Sequence, residues 1–106
     1  NQKKIVVDAG AIAISKDRGP FGLDKDCGYG RVWDLDGHEL GLRVDSLSQE
    51  HGEIQVTDES IFDKLKVGSR VRILTNHSCL SAAQHDAYYI LENGKIVDRW
   101  EIHRGW

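Results

Sequence analysis

The strongest local signal in this sequence is LENGKI at residues 91–96. Its Asn93-Gly94 pair lies between two runs with strand-like composition, residues 87–91 and 95–102. Asn-Gly readily adopts the two positive φ angles that a two-residue type I′ turn requires. The stretch therefore predicts a tight antiparallel hairpin. Asp36-Gly37 is a weaker signal of the same kind and predicts a second hairpin.

Short apolar runs bounded by glycine continue along the rest of the chain. Residues 54–57 and 70–74 alternate apolar with polar side chains, which is typical of strands with one buried face. We expect the opening segment, residues 5–14, to form two strands broken by an Asp-Ala-Gly sequence, and residues 60–65 to form one short helix. About seven to nine short strands with regular turns predict a mainly β fold. We expect one domain, residues 1–106, built as a small antiparallel β barrel or sandwich with at most one short helix.

The charge of the chain argues against two classes of partner. Fourteen Lys and Arg against seventeen Asp and Glu give a net charge of −3. Proteins that bind a nucleic-acid backbone or an anionic membrane carry basic surfaces, so we expect neither partner. Two cysteines are too few for a disulfide framework, which favours a cytoplasmic protein. The absence of any Met favours a piece of a longer polypeptide.

The most informative polar stretch is TNHSCL at residues 75–80, directly after a predicted strand. If the chain stays extended there, His77 and Cys79 point to the same side, because side chains two positions apart share a face of a strand. An imidazole and a thiolate together suit zinc, and two protein ligands leave positions open for water or substrate. The alternative is a buried histidine and a small apolar cysteine on the core side of a strand. On spacing alone, that alternative is the commoner one.

Other residues with chemical potential are scattered. Tyr29 lies between two glycines, which allow close approach of the backbone to a ligand or simply form a barrel corner. Glu50 and His51 lie in a predicted turn. His85 precedes Asp86, whose carboxylate could orient the imidazole. For each of these residues, an ordinary packing or surface role is the competing interpretation.

A series of short motifs follows in a characteristic order: VDAG at 7–10, SKD at 15–17, GYG at 28–30, LSQEHG at 47–52, KVGSRVRI at 66–73, NHSC at 76–79, NGKIVD at 93–98 and RG at 104–105. This ordered set resembles the C-terminal β domain of the D-serine dehydratase and D-threonine aldolase family. Those proteins are fold-type III pyridoxal phosphate enzymes, similar in architecture to alanine racemase. The usual family residues are replaced at Thr75, at Ala83 and at Ala11-Ile12, which leaves the exact substrate open.

The resemblance implies that an N-terminal α/β barrel, absent from this chain, holds pyridoxal phosphate on a lysine. The present domain would then close the active site and supply a divalent metal site. His77 and Cys79 match the family's Asn-His-x-Cys metal motif, with zinc expected and manganese as the alternative. Tyr29, Glu50 and His51 match family segments near the substrate.

The resemblance further implies a reaction. The enzyme would be a lyase, a dehydratase or an aldolase, acting on D-3-hydroxy amino acids such as D-serine or D-threonine. Pyridoxal phosphate serves as an electron sink, and the metal acts as a Lewis acid at the β-hydroxyl. The whole enzyme is expected to be a homodimer, and the 106-residue chain alone is not expected to turn over substrate. The competing interpretation is a free-standing small β-barrel binding module without metal or catalysis.

Overall fold

The computed structural model describes residues 3–19 and 26–104. These residues form eight strands and three helices of four or five residues each. In chain order, the elements are β1 (Lys3–Val7), α1 (Ala11–Ile14), β2 (Gly30–Trp33), β3 (Glu39–Arg43), β4 (Ser46–Leu47), β5 (Gly52–Val56), α2 (Ile61–Lys64), β6 (Arg72–Thr75), α3 (Ser78–Ala82), β7 (Ala87–Glu92) and β8 (Lys95–Glu101). The prediction of a mainly β fold is confirmed. The expectation of at most one helix is wrong, since α1 and α3 accompany the predicted α2. Gly105, from the last motif, lies outside the described residues.

The strands pair into three antiparallel sheets within the part of the chain that is described. One sheet has the order β1-β5-β4, the second has the order β3-β2-β6, and β7 pairs only with β8. The small hydrophobic core draws on both three-stranded sheets, because Ile54 belongs to β5 and Val32 to β2. Val44 and Ile14 complete it. The architecture is therefore a small antiparallel β domain, and its described strands do not close into one barrel.

Both predicted hairpins form, but with different turns. Asn93 and Gly94 have φ angles of +50° and +75°, as a type I′ turn between β7 and β8 requires. The second hairpin joins β2 to β3 through a longer turn in which only Gly37 has positive φ, at +89°. The Asp34 N–H donates to the His38 carbonyl at 2.9 Å. A register shift between Val32 and Trp33 accompanies this longer connection.

The opening segment corrects a prediction. Its first half is strand β1, whereas its second half is helix α1 and not a second strand. Gly10 packs so tightly against the turn at residues 49–51 that a Cβ there would lie 2.5 Å from the Gln49 carbonyl oxygen. The next two N–H groups, of Ala11 and Ile12, donate to the carbonyls of Ser48 and Gln49 at 2.9 and 3.1 Å. Because of these contacts, the chain leaves the extended conformation after β1 and forms helix α1, which buries Ile14.

The segment after β6 corrects a second prediction. The chain does not stay extended through Cys79, because α3 begins at Ser78. His77 keeps an extended backbone, with φ −125° and ψ 93°, whereas Cys79 lies in the first turn of the helix. The Ser81 hydroxyl donates to the Ala13 carbonyl at 2.9 Å and so fastens α3 to α1. The premise that His77 and Cys79 share one face of a strand is therefore wrong.

Candidate metal centre

Three segments of the chain meet at the side chain of Asn76, which directly follows β6. Its amide nitrogen donates to the Asp17 carbonyl at 2.9 Å and to the Gly28 carbonyl at 2.7 Å. Asn76 thus joins the loop after α1 and the loop before β2 to the end of β6. The carbonyls of Asp17 and Gly28 are thereby held against the residue that precedes His77.

The imidazole of His77 pairs with a carboxylate. His77 Nδ1 lies 2.9 Å from Asp17 Oδ2, and both side chains are partly open to solvent, with exposed fractions of 40% and 45%. The other oxygen, Asp17 Oδ1, accepts a hydrogen bond from the Gly19 N–H at 3.2 Å. No described residue hydrogen-bonds to His77 Nε2. With Nδ1 turned to the carboxylate, Nε2 is the nitrogen available to a ligand.

Cys79 is exposed, and neither Cys79 nor the partly buried Cys27 forms a disulfide. Among residues 3–19 and 26–104, the donor atoms of Asp17, His77 and Cys79 do not form a group of three within 4.8 Å. The structure therefore brings Asp17 to His77 but does not gather these three donors into a closed cluster.

Tyr29 lies beside this group on the loop before β2. The Arg18 guanidinium sits over its ring, 5.4 Å from the centroid. The preceding Gly28 has φ +54°, and a Cβ there would come within 2.3 Å of the Val44 carbonyl oxygen. The sequence suggested that the glycines beside Tyr29 let the backbone approach a ligand. At Gly28 the close neighbour is instead the chain's own backbone, at the Val44 carbonyl. Because Gly28 also accepts from Asn76, Tyr29 is held next to the same connection.

Glu50 and His51 lie near the other end of α1, in the exposed turn between β4 and β5. The Ser48 N–H donates to the His51 carbonyl at 2.9 Å and closes this turn. A shallow cavity of about 380 Å³ lies between the turn and α1. No hydrogen bond connects Glu50 or His51 to His77 in the described structure. The candidate residues therefore form two groups, one near each end of α1.

The one set of three metal-type donors within 4.8 Å among the described residues is Asp34, Asp36 and His38, in the β2–β3 turn. Asp34 Oδ1 accepts backbone N–H groups from Asp36 at 2.9 Å and from His38 at 2.8 Å. The hydrogen bond from the His38 N–H, assisted by the one from Asp36, holds the pKa of Asp34 below its ordinary value. This carboxylate is engaged in shaping the turn, and His38 is 78% exposed. The geometry is that of a side-chain-capped turn.

No hydrogen bond joins the neighbouring side chains of His85 and Asp86 in the described structure. Asp86 binds the Arg104 guanidinium, and that contact lowers the pKa of the Asp86 carboxyl. His85 Nε2 lies 3.4 Å from the Ala13 carbonyl oxygen. The suggestion that Asp86 orients His85 finds no contact to support it.

Local spacing in the sequence did not identify Asp17 as part of the site. Asp17 lies sixty positions before His77, and no local pattern connects residues so far apart. The one available signal was the Ser-Lys-Asp motif at residues 15–17, which belongs to the ordered motif set.

No helix in the described part of the chain is long and apolar enough to cross a bilayer.

Comparison with known proteins gives a consistent result. Residues 1–91 match the sequence profile of the family described as "Putative serine dehydratase domain". D-threo-3-hydroxyaspartate dehydratase of Delftia sp. (strain HT23) is 40% identical over 95% of this chain and 28% of its own length. D-serine dehydratase of Dictyostelium discoideum is 34% identical over 99% of this chain and 27% of its own length. The chain thus spans little more than a quarter of these relatives.

Solved structures extend the similarity to the fold. An alanine racemase-like protein from Idiomarina loihiensis covers 97% of this chain at 39% identity with a TM-score of 0.86, over 28% of its own length. A Delftia dehydratase variant with a cysteine replaced by alanine, described as metal-free, covers 97% of this chain and 28% of its own length at 37% identity, with a TM-score of 0.85. In another variant of that enzyme, alanine replaces a histidine two positions before that cysteine. His77 and Cys79 have the same order and spacing.

Proposed function

The chain belongs to the serine dehydratase domain family, and from that membership we propose that it is the metal-binding, active-site-closing domain of a pyridoxal phosphate-dependent lyase. The substrate is a D-3-hydroxy amino acid such as D-serine, D-threonine or a 3-hydroxyaspartate. The reaction is dehydration, which the names of the two dehydratase relatives favour over aldol cleavage. A barrel domain outside this chain carries the cofactor, and the whole enzyme acts as a cytoplasmic homodimer.

The observation that carries the proposal is the His77–Asp17 pair with Cys79 two positions further on. A metal-binding histidine commonly donates its second ring N–H to a carboxylate, and His77 Nδ1 faces the Asp17 carboxylate at hydrogen-bond distance. The thiol of Cys79 is exposed and unbridged, so it remains available as a thiolate ligand. The metal-free cysteine variant of the Delftia enzyme, in which the substituted histidine and cysteine have the same spacing, supports the assignment.

The residues present suit a zinc ion bound through His77 Nε2 and Cys79 Sγ. When bound, zinc supplies a Lewis acid for the substrate's 3-hydroxyl oxygen, and pyridoxal phosphate supplies an electron sink in the whole enzyme. Within this chain, Asn76 fixes the two loops beside His77. Tyr29 lies at the same group, and we assign it to the substrate side. Glu50 and His51, near the other end of α1 from the metal ligands, are assigned there as well.

A metal titration of the 106-residue chain tests the proposal. We expect Co²⁺ binding with the near-ultraviolet absorption of a cobalt–thiolate bond, and competitive displacement by Zn²⁺. His77→Ala and Cys79→Ala should each weaken binding by at least ~10-fold, because losing even an outer partner of a metal ligand costs 10- to 100-fold. Cys79→Ala should also abolish the thiolate band.

Matched controls separate this site from the alternatives. Cys27→Ala removes the other cysteine, and His38→Ala removes the histidine of the Asp34 group, so both should leave Co²⁺ affinity unchanged. If His38→Ala weakened binding while His77→Ala did not, the ion would lie in the β2–β3 turn and the proposal would fail. If the chain bound no Co²⁺ at all, the competing interpretation of a binding module without metal would stand.

A further inference from the structure

We propose that Asp17 is a positioning residue for the metal ligand His77. Its carboxylate holds the Nδ1 edge of the imidazole and so keeps Nε2 directed at the cation. The inference rests on the proposed function, because it presumes that His77 binds a metal. Asp17 acts through His77 and is not itself a ligand.

The carboxylate of Asp17 is fixed from two sides. Oδ2 faces His77 Nδ1 at 2.9 Å, and Oδ1 accepts the Gly19 N–H at 3.2 Å. An exposed ion pair normally contributes little free energy, because ordering two long side chains costs conformational entropy. Here the aspartate side chain is short, and one of its oxygens is already held by its own loop. The imidazole therefore meets an acceptor with a defined direction.

The loop that carries Asp17 is fastened to the residue next to His77. The Asp17 carbonyl accepts from Asn76 Nδ2 at 2.9 Å, so Asp17 contacts Asn76 through its backbone and His77 through its side chain. Gly19, with φ +73°, lies against Asn76, because a Cβ there would be 3.0 Å from Asn76 Cγ. Three contacts thus join the same two segments. These contacts hold the two segments together next to the His77–Asp17 pair.

The chemistry explains why this connection matters for a metal ligand. A carboxylate on one ring nitrogen selects the tautomer that leaves the other nitrogen unprotonated, and it fixes the orientation of the ring. Asp17, His77 and Cys79 do not form a three-donor group within 4.8 Å among the described residues. Because Asp17 Oδ2 contacts Nδ1 of the ring directly, Asp17 suits an outer partner of the imidazole better than a third ligand.

An ordinary surface ion pair would make the same contact without influencing metal binding. The two roles are distinguished by measuring Co²⁺ affinity, with a competing chromophoric chelator, for Asp17→Ala and Asp17→Asn in the 106-residue chain. Asp17→Ala should weaken binding by ~10- to 100-fold. Asp17→Asn retains an oxygen that can accept from Nδ1–H but loses the charge, so its affinity should fall between those of Asp17→Ala and wild type.

Two further measurements isolate the positioning role. Asp36→Ala removes an exposed carboxylate remote from His77 and should leave Co²⁺ affinity unchanged. In the zinc-loaded protein, ¹⁵N spectra of the His77 ring should show the proton on Nδ1 in wild type, and this pattern should be lost or mixed in Asp17→Ala. A purely structural role for Asp17 would alter thermal unfolding but would leave the ring spectrum of the folded protein unchanged.

The outcomes separate the two proposals. If His77→Ala weakens Co²⁺ binding but Asp17→Ala and Asp17→Asn both bind like wild type, the inference is overturned and the proposed function stands. If wild type binds no Co²⁺, both are overturned. Should Asp17→Ala fail to fold, Asp17→Asn decides, because it preserves the shape of the side chain and wild-type affinity in that variant refutes the inference.

Discussion

Single polar side chains hold the loops of this domain in place where strands do not. Asn76 is the clearest case, because one amide nitrogen donates to carbonyls that lie 59 and 48 positions away in the sequence. Asp34 does the same locally, by accepting two backbone N–H groups within its own turn. Such side chains replace the ladder hydrogen bonds that loops lack, and buried or half-buried backbone groups need partners of this kind.

The turn at Asp34 gives a prediction about pH. The N–H groups of His38 and Asp36 stabilise the charged carboxylate, so the pKa of Asp34 is lower in the folded chain than in the unfolded chain. The stabilisation is complete above the unfolded-state pKa, and it is lost as the pH falls through the lower, folded-state pKa. Asp34→Asn removes the part of the folding stability that depends on this charge. The urea midpoint of the variant should therefore lie below that of wild type at neutral pH, and the gap should shrink in acid.

Asp36→Asn is the matched control for this measurement. It makes the same chemical change in the same turn, at an exposed carboxylate that accepts no hydrogen bond from the described residues. The two variants thus differ in the backbone hydrogen bonds that the carboxylate accepts. A constant gap between Asp34→Asn and wild type from neutral to strongly acidic pH would contradict the assigned role of Asp34.

At the scale of residues, the sequence indicated the right kinds of donor but not their arrangement. The pairing of an imidazole with a thiol at residues 77 and 79 suggested a metal site, and that interpretation stays a prediction. The supposed geometry was wrong, because the backbone becomes helical between the two residues. Asp17 could not be derived from spacing, since the tertiary fold alone brings residues sixty positions apart into contact.

At the scale of elements, the β7–β8 hairpin depends on its turn. Gly94 has φ +75°, and a Cβ at this position would meet nothing within 4 Å. Gly94→Ala should therefore cost only the backbone strain of a left-handed residue, about 1–2 kcal/mol. Because no other described strand pairs with this hairpin, the loss should be local. Hydrogen exchange should accelerate for amides of β7 and β8 but not for those of β5.

Gly68→Ala provides the control for the hairpin. Gly68 also has positive φ, at +88°, and open space around its Cα, but it lies in the turn before β6. This variant carries similar strain and should leave hydrogen exchange in β7 and β8 unchanged. If Gly94→Ala accelerated exchange in β5 as much as in the hairpin, then the hairpin would be a cooperative part of the fold and the prediction would be wrong.

The elements that could be predicted are those whose signal is local. The turn at Asn93-Gly94, the short helix α2 and the strand at Ile54 each follow from a few adjacent residues. Helices α1 and α3 could not be predicted, because tertiary contacts fix them. The Ser81 hydroxyl on the Ala13 carbonyl is one such contact, and the packing of Gly10 against the 49–51 turn is another.

At the scale of the whole molecule, few side chains carry the core. Only Ile14, Val32, Val44 and Ile54 are buried hydrophobic residues in the described part of the chain. Small domains bury a modest share of their surface, so each of these side chains accounts for a large part of the free energy of unfolding. Much of the apolar surface of the hairpin is by contrast open, with Trp100 58% exposed. Stability is therefore concentrated where the two three-stranded sheets meet.

Replacing Ile54 tests whether stability is concentrated where the two three-stranded sheets meet. Ile54 is fully buried at the centre of β5, and Ile54→Ala should lower the free energy of unfolding by about 2–5 kcal/mol through lost burial and the cavity that remains. Whole domains are stable by only about 5–15 kcal/mol, so the shift should be plain in a urea titration. Ile96→Ala makes the same substitution at a residue that is 65% exposed in β8. That variant should lose less than about 1 kcal/mol, because only a cross-strand contact is weakened. Equal losses in the two variants would mean that the hairpin packs as tightly as the core and that the exposed apolar surface is covered in solution.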